Sequence, residues 1–174
     1  MNVYPIEAGN FKLDGGAMFG VVPKSLWTKT NPADADNMIE MSSRCMLVEN
    51  SDKLILVDTG MGDKQSEKFF KYYKRWGSDN LVKSINSAGF SIDDVTDVLL
   101  THLHFDHCGG AVAWDSSKEA YDVLFKNANY WSNEKHWDWA TSPNPREKAS
   151  FLDENLFPIK AVSYTHLRAH ETTV

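Results

Sequence analysis

Thr101 to Gly110 reads THLHFDHCGG, and it places three of the chain's six histidines and one aspartate within six positions, straight after the apolar run Val98-Leu99-Leu100. Imidazole nitrogen and carboxylate oxygen at this density form a metal-binding pattern, suited to zinc and also to iron, manganese or cobalt. If the strand continues with period two, His102, His104 and Asp106 fall on one side. A turn permitted by Gly109-Gly110 then brings His107 round to join them. Two donor pairs result, His102 with His104 and Asp106 with His107. The end of a strand is also where open α/β sheets place their sites.

The surrounding chain can support such a site. Its 174 residues, 42% hydrophobic and 12% aromatic, are enough to bury a core in one domain or part of a larger one. A formal net charge of −6 disfavours a nucleic-acid surface. Two cysteines, Cys45 and Cys108, do not make a disulfide framework and are expected to be free thiols. The N-terminus lacks the apolar core of a signal peptide, and no stretch has the length of a membrane span. These features predict a cytoplasmic chain, with neither nucleic acid nor membrane as partner.

Short strands are predicted at Val3–Ala8, Ala17–Val22, Arg44–Glu49 and Leu54–Asp58, the last two forming a hairpin around Asn50-Ser51-Asp52. Lys24 to Met41, polar and containing Asn31-Pro32, reads as a long loop. Ser66–Trp76 spaces Phe69, Phe70, Tyr73 and Trp76 as a helix with an aromatic core stripe. Asn80–Ser87 reads as a second helix closed by Ala88-Gly89, and Ser91–Asp94 as a helical cap before the strand Asp97–Leu100. Beyond the histidines, Tyr121–Phe125 and Asn129–Trp131 read as strands, and Asn133–Ala140 and Pro145–Asn155 as helices.

The histidine motif, together with the upstream Leu56-Val57-Asp58-Thr59-Gly60, resembles the metallo-β-lactamase-fold hydrolases. Within them, Gly15 to Trp27, the Asn31-Pro32 loop and the Trp131–Trp139 aromatic run resemble the lactonase and methyl parathion hydrolase branch. The resemblance covers roughly Met1 to Lys160 and implies an α/β class fold, an αβ/βα sandwich of which this chain is the N-terminal portion. It also implies a hydrolase with two Zn²⁺ ions, other divalent metals being able to substitute, using a metal-bound hydroxide on an ester-like bond of a small-molecule substrate such as a lactone. His102 and His104 would bind the first ion, and Asp106 and His107 the second. Asp106 would also orient the nucleophile, which makes it the candidate catalytic residue. Asp58 would accept a hydrogen bond behind the ligands, fixing the loop or a histidine ring, and could also cap the turn with Thr59 and Gly60. Phosphotriester or thioester hydrolysis shares this metal chemistry and stays open, as do a di-iron oxidoreductase and a non-catalytic binding module. A glutamate in place of His104 would mark the oxidoreductase, and disrupted ligands the binding module.

The family pattern requires three more ligands, a histidine for each metal and a bridging aspartate, and they are not found here. His136 lies too near the motif and is read as packing or surface. Cys108 is read as a small buried thiol. His166 and His170 are set aside, because Val162 to Thr172, VSYTHLRAHET, resembles the translated transposase end and adapter of sequencing libraries. Residues 1–161 are therefore expected to be the N-terminal part of a hydrolase domain and residues 162–174 a non-native tail. Such a fragment is expected to leave the apolar face of its first sheet uncovered, and to be poorly soluble and inactive.

Overall fold

The computed structural model describes residues 1–163. The adapter-like stretch beyond Ser163, with His166 and His170, lies outside the described residues.

The chain opens with a long antiparallel pair, β1 (Asn2–Asp14) and β2 (Met38–Asn50), joined through two short helices, α1 (Gly15–Phe19) and α2 (Lys24–Trp27). Strand β3 (Lys53–Val57) returns against β2 through Ser51-Asp52, where Ser51 takes a positive φ of 54°. Helices α3 (Glu67–Tyr73) and α4 (Leu81–Ser87) carry the chain over to β4 (Asp97–Leu99), which pairs parallel to β3. A one-turn helix α5 (Phe105–Cys108) leads into a small hairpin, β5 (Val112–Trp114) and β6 (Tyr121–Val123). Strand β7 (Asn129–Trp131) then joins parallel to β4, and α6 (Glu134–Thr141) and α7 (Asp153–Ser163) follow. Among the described residues the main sheet therefore runs β1-β2-β3-β4-β7.

Cross-strand register decides which face holds the core. Leu47, Leu56, Val98 and Tyr130 stand opposite one another across four strands, and all are buried. The next row, Met46, Val57, Leu99 and Trp131, points to the other face by the period-two rule. There Met46, Leu99 and Trp131 remain 42%, 41% and 36% exposed. The described part of the sheet thus has one covered apolar face and one largely open apolar face.

The structure corrects several expectations. Ala17–Val22 is not a strand: Gly15–Phe19 is helical, because the Asp14 carboxylate accepts from the Ala17 N–H at 2.8 Å and caps the turn. Val21 and Val22, which gave the segment its strand character, lie exposed in the connection that follows. Lys24–Met41 is not a single loop, since α2 occupies its start and β2 begins at Met38. That extension is tertiary in origin: Asn10 to Asp14 pairs with Met38 to Ser42 beyond an irregularity at Gly9, and Phe11 and Ile39 are buried there. Pro145–Asn155 is a short 3-10 turn, Lys148–Ser150, followed by the start of α7. Helix α7 tolerates Pro158 because Leu156 and Ile159, each 1% exposed, anchor it in the core. Strand β5 carried no alternation in its three residues and had no prediction.

Candidate metal centre

Two loops meet at the C-terminal ends of β3 and β4. Asp58 ends the first strand with a φ of +58°, a left-handed conformation that aspartate tolerates better than most residues. Its N–H donates to the Leu99 carbonyl at 2.9 Å. Its carboxylate then accepts from the Thr101 N–H at 2.9 Å and from the Thr101 hydroxyl at 2.7 Å. Oδ2 also lies 2.9 Å from Nδ1 of His107. One side chain thus braces both ends of the histidine loop and turns the His107 Nε2 away from itself, toward Asp106, whose Oδ2 is 3.6 Å from it.

The zipper continues along the backbone. The Thr59 N–H and hydroxyl both donate to the His107 carbonyl, at 2.8 and 2.9 Å, and the Gly110 N–H donates to the Gly60 carbonyl at 2.9 Å. Gly109 and Gly110 make this possible: a Cβ on either would land on a main-chain carbonyl, that of Met61 or that of Thr59. Close approach, and not the turning of His107, is what these glycines permit.

The motif itself is not a continuing strand. From His102 to Phe105 burial alternates, with Leu103 fully buried and Phe105 7% exposed while the two histidines face out. Helix α5 then begins, with His104 at its N-cap, and its single turn sets Asp106 and His107 side by side. Phe105 plugs into the aromatic stripe of α3, with ring centroids 5.3 Å from Phe69 and 4.9 Å from Tyr73. Trp76 lies outside that stripe, bridged to Asn10 instead.

The structure brings all four predicted donors together. The His102 ring lies 3.8 Å from that of His107 and 4.8 Å from that of His104, centroid to centroid. Among the described residues no three His, Cys, Asp or Glu groups enclose one point that could hold an ion. The four donors are neighbours without forming a closed set among the described residues, and their imidazole and carboxylate chemistry is of the kind a divalent ion takes. Burial, with the neighbouring His107 and His104 charges, pushes His102 down to about 4, which keeps its ring neutral. His104 is lowered too, burial and the His107 charge outweighing the opposing Asp106 carboxylate. At His107 burial disfavours the charge, but the Asp58 hydrogen bond and the Asp106 carboxylate outweigh it and raise the pKa. Beside Asp106 and His107 opens a cavity of about 210 Å³, with Phe11, Met18 and Met41 on its wall. Met18 is the part of the Gly15–Trp27 segment that reaches it.

Lys64, which sequence reading passed over, is only 4% exposed and donates to the Gly109 carbonyl at 2.6 Å. Burial pushes its pKa down to about 8. Between that value and the ordinary lysine range the unfolded chain binds more protons than the folded one, so stability rises with pH across this window. Lys64→Met is expected to abolish up to about 3 kcal/mol of that rise. Urea melts of both proteins at about pH 7 and pH 10 would measure it, and parallel pH slopes would refute it.

The two cysteines are free and buried, and burial pushes each thiol up to about 12. Among the described residues no helix is long and apolar enough to cross a membrane.

Comparison with known proteins follows the same lines. A sequence profile of the Metallo-beta-lactamase superfamily matches residues 39–174. An N-acyl homoserine lactonase of Bacillus cereus is 26% identical over 151 residues, covering 78% of this chain and 59% of that protein. A crystal structure from Staphylococcus aureus, described as a probable metal-dependent hydrolase, superposes with a TM-score of 0.80 at 31% identity, over 88% of this chain and 54% of the other. AidC, a dizinc quorum-quenching lactonase, shares the fold at a TM-score of 0.67 and 24% identity, over 99% of this chain and 59% of its own. The chain spans little more than half the length of these relatives.

Proposed function

This chain belongs to the metallo-beta-lactamase superfamily, and we propose that it carries one half of a two-metal hydrolytic site which, in the whole protein, opens an ester-like bond such as a lactone. The observation that carries the reading is the convergence of His102, His104, Asp106 and His107 on one loop surface, braced from behind by Asp58. The lactonase relatives support the substrate class.

Divalent ions, zinc by the donor chemistry, would supply an acidified water and polarise the scissile carbonyl when bound. His102 and His104 would hold one ion, and Asp106 and the Nε2 of His107 the other. Asp58, by occupying Nδ1 of His107, selects which ring nitrogen is presented. Asp106 would orient the attacking water, and the apolar wall of Phe11, Met18 and Met41 would receive the uncharged part of the substrate. Zinc sites use at least three protein ligands, so two donors per ion place the complete activity in the whole protein.

Metal uptake tests the ligand assignment. Because two donors hold an ion weakly, the 174-residue chain is titrated with Zn²⁺ at equilibrium, without desalting, beside a His102→Ala/His104→Ala double variant. Uptake by the wild type and a fall of about tenfold or more in affinity in the double variant are expected. Equal uptake by both refutes the assignment. In the whole protein, lactone, aryl ester, thioester and phosphotriester substrates compared by kcat/KM test the bond. Preference for the phosphotriester would overturn the substrate class and leave the metal assignment standing.

A further inference from the structure

We propose that His136 is a positioning residue: through Nε2 it holds the peptide N–H between His102 and His104, and so sets the spacing of that donor pair. This rests on the reading of those two histidines as ligands.

The Leu103 N–H donates to the His136 Nε2 at 2.9 Å, across 33 positions of sequence. The other polar group of the same residue is also held, since the Cys108 thiol donates to the Leu103 carbonyl at 3.3 Å. With the Leu103 side chain fully buried, this residue is fixed at its side chain, its N–H and its carbonyl. His102 and His104 project from either side of it. A backbone N–H turned inward beside a buried leucine needs an acceptor, and His136 is the group that meets the need.

The histidine is itself held in place. It sits on α6, which the Asn133 side chain caps by accepting from the His136 N–H at 3.2 Å, while Trp137 and Ala140 anchor the helix in the core. Its ring lies against Phe151, centroids 5.8 Å apart, and edge-on to Trp139 at 6.3 Å. An acceptor Nε2 carries no proton, so the neutral ring must bear its proton on Nδ1. With Nε2 engaged by the backbone, His136 acts on the donors through the chain and not as a third ligand on that nitrogen.

Two measurements on the 174-residue protein test this. Long-range nitrogen–proton spectra of the wild type read the His136 tautomer with no substitution. A proton on Nδ1 is expected, and a proton on Nε2 overturns the proposal. His136→Phe, which keeps a ring but removes the acceptor, is compared with His136→Gln, whose amide oxygen can replace it. In the phenylalanine variant the Leu103 amide should exchange about tenfold faster or more, and Co²⁺ affinity, read from the visible spectrum, should fall about 10–100-fold. The glutamine variant should recover most of both. Unchanged cobalt affinity in His136→Phe overturns the proposal, as does a glutamine variant no better than phenylalanine. A wild type that takes up no cobalt refutes the donor reading itself. Wild-type uptake whose affinity survives His136→Phe refutes only the role of His136.

Discussion

Gly109→Ala and Gly110→Ala are each expected to cost at least about 3 kcal/mol of stability, lowering the melting temperature by roughly 6–12 °C. The new methyl group would occupy the position of the Met61 carbonyl in the first variant and of the Thr59 carbonyl in the second. Both obstacles are main chain, so neither can swing aside as a flexible side chain would. Relief requires the two loops to part, and parting them breaks the hydrogen bonds from Thr59 to the His107 carbonyl and from Gly110 to the Gly60 carbonyl. It also draws Asp58 away from the His107 ring. Overpacking by one methyl typically costs about 1–3 kcal/mol, and the lost hydrogen bonds add to it. Calorimetry of the three proteins is the check. A loss below about 1 kcal/mol would show that the loops are not held in contact.

Asp58→Ala is expected to destabilise the metal-free chain by about 2–3 kcal/mol and to weaken Zn²⁺ or Co²⁺ uptake by about 10–100-fold. The substitution removes the acceptor of the Thr101 N–H and hydroxyl and the partner of the His107 Nδ1. It also leaves an alanine at φ +58°, where an L side chain is strained. Asp58→Asn keeps an acceptor for Thr101 and tolerates that backbone, so its loss should be smaller. The pH dependence follows from the two shifts. For Asp58, burial opposes the charge, but hydrogen bonds from His107 and Thr101 outweigh it and hold the pKa low. Its contribution is therefore fully present above the ordinary carboxylate range and lost as pH falls through the lower folded value. The raised pKa of His107 acts in the opposite sense, its contribution being full below about pH 6.5 and lost as pH rises through the folded value. The gap between wild type and Asp58→Ala should then be widest between about pH 4 and pH 6.5. A gap that does not vary with pH would mean that the pair contributes geometry alone.

Local signals were legible in sequence where one short stretch carried the whole physical cause. Asn80, Ser66 and Asn133 each cap the helix that their position announced, the side chain accepting from an N–H three residues on. The β2–β3 hairpin followed from two apolar runs around a polar turn. Ala17 to Val22 misled because its valines and phenylalanine carry strand character. The deciding contacts were the cap from Asp14 and the hydrogen bond from Gly15 to the Asn37 carbonyl, 22 positions away. The later half of β1 and the first half of β2 lie outside the predicted strands, and become strand by pairing with each other.

By itself the sequence determined which candidate donor atoms lie together. His102, His104, Asp106 and His107 are near neighbours in the chain, so no fold could scatter them far. Tertiary structure decided how they are presented. The Asp58 brace, the Lys64 bond to Gly109 and the His136 bond to Leu103 join residues 33 to 49 positions apart, around the local turn of α5. Donor chemistry is a property of each side chain. Donor geometry depends on long-range hydrogen bonds and packing, which exist only once the strands have paired.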